Sequence, residues 1–113
     1  MSEERILLDH GSGGLASHRL VSEVFLRHMG NEFLNGMDDA ACVATGPLTA
    51  VSTDTFTVDP LFFPGGDIGS LAVHGTVNDV AMLGARPRYL TCGFVIEEGL
   101  LLRDLERIVA SMA

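Results

Sequence analysis

The feature that most limits the fold is an apolar segment punctuated at both ends. Asp67 stands where a helix needs an N-cap, Gly84 where a helix stops, and Pro87 bars continuation. A helix is predicted from Asp67 to about Leu83. It is flanked by two runs of strand character, Ala50 to Val58, rich in Val and Thr, and Tyr89 to Ile96. Strand, helix, strand predicts a parallel pairing through a right-handed crossover. Ala40 to Thr45 predicts a further strand, joined to the Ala50 run by a Gly46-Pro47 turn and expected to pair with it antiparallel. The last helix is predicted over Leu101 to Met112, with Leu101, Leu105, Ile108, Val109 and Met112 on one face. Nearer the N-terminus, Ser17 is expected to cap a helix from His18 to about Met29 that Gly30 ends. Asn35 to Asp38 reads as a turn and Asp59 to Gly66 as a loop. The class that follows is α+β, with helices on one face of a mixed sheet.

Charge narrows the function. The chain of 113 residues carries a net charge of −8, has no lysine, and draws all seven of its cations from arginine. A basic nucleic-acid face is not expected. Devices that need lysine, such as the Walker A lysine, the kinase strand lysine and Schiff-base chemistry, are excluded within this chain. An acidic protein can still bind a polyphosphate if divalent metal stands between its carboxylates and the phosphates. No apolar run approaches the roughly 20 residues that span a bilayer. The acidic start, Met1-Ser2-Glu3-Glu4-Arg5, lacks the basic and apolar regions of a signal peptide, so a cytoplasmic location is expected. Cys42 and Cys92 lie in strand-like runs without metal-ligand spacing and read as two buried thiols, with a catalytic thiol or a disulfide as the alternatives.

Two kinds of residue could carry chemistry. The first is the loop His10-Gly11-Ser12-Gly13-Gly14, whose glycines would let backbone N–H groups approach an anion. The second is a set of carboxylates. Asp38 and Asp39 are adjacent at a strand mouth, where like charges are tolerated if water or a cation reaches both. Asp54, beside Thr53, sits in a strand-like run that disfavours aspartate. It shares parity with Ser52, which suits a solvent face, but also with Ala50, Phe56 and Val58, which suit a buried one. Asn78 and Asp79 interrupt the apolar 71–83 helix, and Asp79 shares a face with Gly75 and Thr76. Asp79 is either a surface acid or one that is paired, hydrated or metal-bound. If the elements pack as predicted, Asp38 or Asp39, Asp54 and Asp79 converge and could hold Mg²⁺. His10 and His74, the latter one turn before Asn78, could touch phosphate or shuttle a proton, or be ordinary histidines. His18 and His28 read as surface residues, and Glu97-Glu98-Gly99 as a polar turn.

Taken in order, the motifs resemble the aminoimidazole ribonucleotide synthetase (PurM-like) superfamily, and within it the hydrogenase-maturation factors. The resemblance rests on the His10–Gly14 loop, Asp38-Asp39-Ala40-Ala41, Ser52-Thr53-Asp54-Thr55-Phe56, Phe63-Pro64-Gly65-Gly66-Asp67-Ile68-Gly69 and Gly75-Thr76-Val77-Asn78-Asp79-Val80-Ala81-Met82. It extends through Gly84-Ala85-Arg86-Pro87 and Ile96-Glu97-Glu98-Gly99 and covers nearly the whole chain. The resemblance implies a PurM-like N-terminal domain whose sheet pairs with that of a second subunit into a barrel. It implies ATP and Mg²⁺ beside that homodimer interface. By motif, His10, Gly11, Ser12, Gly13, Gly14, Thr53, Asp54, His74, Asn78 and Asp79 would contact nucleotide, and Asp38, Asp39, Asp54 and Asp79 metal. The implied reaction is ATP-driven dehydration of a C-terminal cysteine thiocarboxamide to a thiocyanate, the source of cyanide for the iron of [NiFe]-hydrogenase. The implied partners are a carbamoyltransferase and an iron-scaffold complex, with neither nucleic acid nor membrane. The last helix ends without a cap, so residues 1–113 are expected to be a truncated N-terminal domain, inactive alone, with the second domain and the terminal cysteine missing. Two other readings stand beside this one: another PurM-like enzyme, of selenophosphate or thiamine-phosphate kinase type, and a non-catalytic dimerisation module.

Overall fold

A computed structural model describes residues 3–113. The chain is α+β and divides into two units. The first comprises the described residues up to Cys42 together with Phe94–Ser111 and Ala113, and the second Val43–Gly93 with Met112.

The first unit is built on helices. A 3₁₀ turn, Leu8–Gly11, leads through the glycines to α1 (Leu15–Leu20), a π-helical stretch (Val21–Phe25) and α2 (Leu26–Met29). The helix starts earlier than the sequence suggested. Gly14, not Ser17, is the N-cap, because the Ser17 hydroxyl bonds elsewhere. Gly30 does end it, and a Cβ there would meet the Leu26 carbonyl oxygen at 2.5 Å, so no other residue fits without a shift. The following turn begins at Asn31, whose Oδ1 accepts from the Phe33 and Leu34 N–H groups.

The Leu101 face of the last predicted helix is the core of this unit. α4 (Leu102–Met112) buries Leu105, Ile108 and Val109 at helical spacing, and Leu105 and Val109 close on Ile6 and Val24. Leu20, Phe25, Met29, Phe94 and Ile96 pack around them, with the Phe25 and Phe94 rings 4.8 Å apart and tilted. The N-terminal segment is tied in by its backbone. Ile6 N–H donates to Leu100 O and Gly99 N–H to Ile6 O, both at 2.8 Å, beside an antiparallel bridge between Arg5 and Leu101. The expected Glu97–Gly99 turn is present, with Gly99 at φ +99°, a left-handed conformation natural to glycine.

The second unit holds β1 (Phe62–Phe63), β2 (Gly66–Asp67) and α3 (Ile68–Ala81). The loop expected over 59–66 contains a tight hairpin. Pro64 and Gly65 occupy its two central positions, and Gly65 at φ +94° matches the glycine of a type II turn. Asp67 caps α3 as predicted. Its side chain accepts from Ser70 N–H at 2.9 Å, while Ser70 Oγ accepts from Asp67 N–H at 3.0 Å, a reciprocal capping box. Gly84, at φ +75°, follows the helix where its stop was expected.

The predicted strands over 40–45, 50–58 and 89–96 are not formed, and the mixed sheet with its parallel crossover is replaced by the two-stranded antiparallel hairpin. Strand propensity describes fit to a pleated, half-buried surface, and in this single chain no ladder partner supplies that surface. The 50–58 run keeps part of its alternation: Ser52, Phe56 and Val58 are half-buried, and Val51, Thr53, Thr55 and Thr57 are exposed. The same lack of a covering layer leaves Cys42 and Cys92 exposed, correcting the expectation of buried thiols. No helix among the described residues is long and apolar enough to cross a membrane.

Candidate functional site

In the first unit the candidate residues form a closed loop. Its backbone donors are spent internally. Ser12 N–H donates to Asp9 O at 3.2 Å, Gly13 N–H to Ser17 Oγ at 2.9 Å, and Gly14 N–H to Ser12 Oγ at a long 3.4 Å. Two serine hydroxyls hold the last two of these N–H groups in the ligand-free chain. The loop is nonetheless open on its outside. A Cβ at Gly11 or Gly13 would meet nothing within 4 Å, and Gly13 sits at φ +82°, where glycine is favoured.

His10 is oriented by its own turn. Leu7 N–H donates to His10 Nδ1 at 2.8 Å, so Nδ1 is an acceptor and the neutral ring carries its proton on Nε2. That makes Nε2–H a donor for an oxygen ligand. Asp38 and Asp39 are exposed in this unit. A Cβ on Gly36 would come within 3.0 Å of an Asp38 carboxylate oxygen, so the acid folds back over the turn that precedes it. Of the two histidines read as surface residues, His18 is exposed, and His28 is half-buried with its Nε2 3.1 Å from Glu106, which also takes Arg27 at 3.0 Å.

In the second unit α3 carries His74, Asn78 and Asp79. His74, Val77, Asn78 and Ala81 lie at helical spacing on one open face of α3, so His74 and Asn78 share a surface. Asp79 is exposed, and so are Thr53 and Asp54. Asp54 Oδ1 accepts from Thr55 N–H at 2.7 Å. The aromatic ring of Phe56 lies against Gly75, where a Cβ would meet ring carbons at 2.6 Å. This contact seats the Thr53–Phe56 motif on α3, a role for Phe56 and Gly75 visible in the sequence only as motif positions.

Among the described residues no three His, Cys, Asp or Glu side chains stand close enough to hold a metal ion. An all-protein cage, as structural metals use, does not fit. Mg²⁺ asks for less: one or two carboxylates, with water and substrate phosphates completing its shell, and exposed Asp38, Asp39, Asp54 and Asp79 suit that.

The residues from the Asp38 turn onward match one family throughout. The N-terminal domain of AIR synthase related proteins matches residues 37–113. The chain belongs to that family. It is 58% identical over 105 residues to the carbamoyl dehydratase HypE of Azotobacter vinelandii, covering 92% of this chain and 31% of the relative. It is 50% identical over 114 residues to the carbamoyl dehydratase HypE of Escherichia coli (strain K12), covering 96% and 34%. A crystal structure of the hydrogenase maturation protein HypE in complex with ATP superposes with a TM-score of 0.91 at 67% identity, covering 94% of this chain and 32% of that one. The chain thus spans about a third of the length of the relatives it matches. The α+β class is that of this HypE fold.

Proposed function

We propose that this chain is the ATP-binding N-terminal part of a hydrogenase-maturation carbamoyl dehydratase. The observation that carries the reading is the 0.91 TM-score, at 67% identity, to a HypE structure bound to ATP. Relatives named carbamoyl dehydratases, at 50–58% identity, favour it over a selenophosphate or thiamine-phosphate kinase-like enzyme.

In this reading the full-length protein uses ATP to remove water from a thiocarboxamide on its own terminal cysteine. The amide oxygen takes the γ-phosphoryl group, the C–O bond breaks, the two N–H protons leave, and a thiocyanate, ADP and phosphate result. The amide oxygen is a poor leaving group until phosphorylated, so the protein's task is positioning and charge neutralisation. A chain of charge −8 repels a polyphosphate. One or two carboxylates drawn from Asp38, Asp39, Asp54 and Asp79 would hold Mg²⁺, which when bound neutralises the phosphates. His10 Nε2–H and the glycine loop would meet phosphate oxygens, and His74 and Asn78 would line the nucleotide's other side. The protein would act as a cytoplasmic homodimer whose sheets complete each other, receiving the carbamoyl group from a carbamoyltransferase and passing cyanide to an iron-scaffold complex.

The test is calorimetric titration of the full-length protein with ATP, with and without Mg²⁺. Saturable, Mg²⁺-dependent binding is expected, and Asp54→Asn should weaken it by about tenfold or more, the loss of one charge-assisted contact. Absence of binding under either condition would leave the dimerisation module as the better account.

A further inference from the structure

Ser17 ties the glycine loop at two points, although it lies outside the motif that defines it. Its hydroxyl donates to His10 O at 2.6 Å and accepts from Gly13 N–H at 2.9 Å. One hydroxyl has one proton and two lone pairs. Here it uses them to tie the first residue of the loop to the fourth. Ser17 itself is half-buried on α1, whereas Gly11, Ser12, Gly13 and Gly14 are exposed. The loop therefore hangs from a fixed point on the helix it precedes.

The tie has a second effect. His10 is held at two atoms, its carbonyl by Ser17 and its Nδ1 by Leu7 N–H. With the backbone and one ring nitrogen fixed, Nε2–H is the ring's remaining donor, and its direction is set before a ligand arrives. Glycines alone would leave this loop many conformations, each an entropic cost to binding. Two hydrogen bonds to one helix-borne hydroxyl remove much of that cost.

We propose that Ser17 is the positioning residue of the nucleotide site, holding the glycine loop and His10 in the conformation that receives the phosphates. The proposal rests on the ATP reading above. Ser17 touches no ligand in this scheme and acts through Gly13 and His10.

The experiment uses the full-length protein and its Ser17→Ala and Ser17→Thr variants. Kd values for Mg·ATP and for adenosine are measured by calorimetry, and exchange of the Gly13 amide is followed without ligand. Ser17→Ala is expected to weaken ATP about tenfold, leave adenosine within about twofold, and speed Gly13 exchange about tenfold, as loss of one or two hydrogen bonds implies. Ser17→Thr, which keeps the hydroxyl, should restore ATP affinity to within about twofold of the wild type. Equal loss of ATP and adenosine would mean general damage to the fold and would overturn the positioning role. So would a Ser17→Ala protein that binds ATP as the wild type does, while leaving the nucleotide reading intact. A wild-type protein that binds no ATP would remove that reading, and this proposal with it.

Discussion

Partial desolvation sets Cys92 apart from an ordinary thiol. The residue as a whole is exposed, yet enough protein crowds the sulfur for desolvation to push its pKa up. The folded state then holds the proton more tightly than the unfolded chain does. The resulting stabilisation is fully present below the ordinary thiol pKa and is lost as pH rises through the folded value. Cys92 should therefore be a slow nucleophile near neutrality. In a Cys42→Ser background, its rate of alkylation by iodoacetamide should climb with a midpoint above that of a free cysteine. A midpoint at the free value would mean an ordinary solvated thiol, and one below it an activated thiol. Residue identity was otherwise the most legible level of the candidate site, because the loop, the Asp38-Asp39 pair, Asp54 and the Asn-Asp of α3 are all motif positions. Ser17 was not legible in its true role. A serine three residues past a glycine pair reads as a cap, and only the backbone path shows that its hydroxyl turns back to His10 and Gly13.

At the scale of elements, α3 shows where sequence reasoning succeeds. Its start depends on atoms within three residues of one another, Asp67 and Ser70, and such local chemistry is written in the sequence. Asp67→Ala should cost about 1–2 kcal/mol of stability in urea unfolding, whereas Asp67→Asn, which keeps the acceptor, should cost less. The runs over 40–45, 50–58 and 89–96 show where it fails. A strand needs a partner that its own residues do not encode, and only the side-chain alternation of 50–58 survives as a trace. What holds that run is Phe56 against Gly75. Gly75→Ala would drive a methyl into the ring and should destabilise by about 1–3 kcal/mol. In a Phe56→Ala background the same change should cost far less, because the clash is gone. Equal costs in both backgrounds would show the contact to be idle.

The distribution of apolar surface over the whole chain makes the last prediction. The buried hydrophobic residues among those described, Ile6, Val24, Leu105, Ile108 and Val109, all belong to the first unit. The second exposes Leu48 at 95% and Val51 at 84%, with Met82, Leu83, Tyr89 and Leu90 also open. Each Val or Leu carried from water into a packed surface contributes about 1.5–3 kcal/mol. Leu48, Val51, Tyr89 and Leu90 sit in or beside runs whose composition favours strands, so a cover that also supplies ladder partners would satisfy backbone and side chain at once. A second copy offers the same runs by symmetry, and that is the homodimer proposed above. The full-length protein should sediment as a dimer at micromolar concentration. Val51→Lys places a charge in the apolar interface and should weaken the dimer by roughly tenfold or more. If ATP binds beside that interface, its affinity should fall with dimer dissociation and recover when the variant is concentrated enough to pair. A wild-type protein that stays monomeric, or a Val51→Lys variant that dimerises as tightly as the wild type, would place the partner surface elsewhere and separate nucleotide binding from subunit pairing.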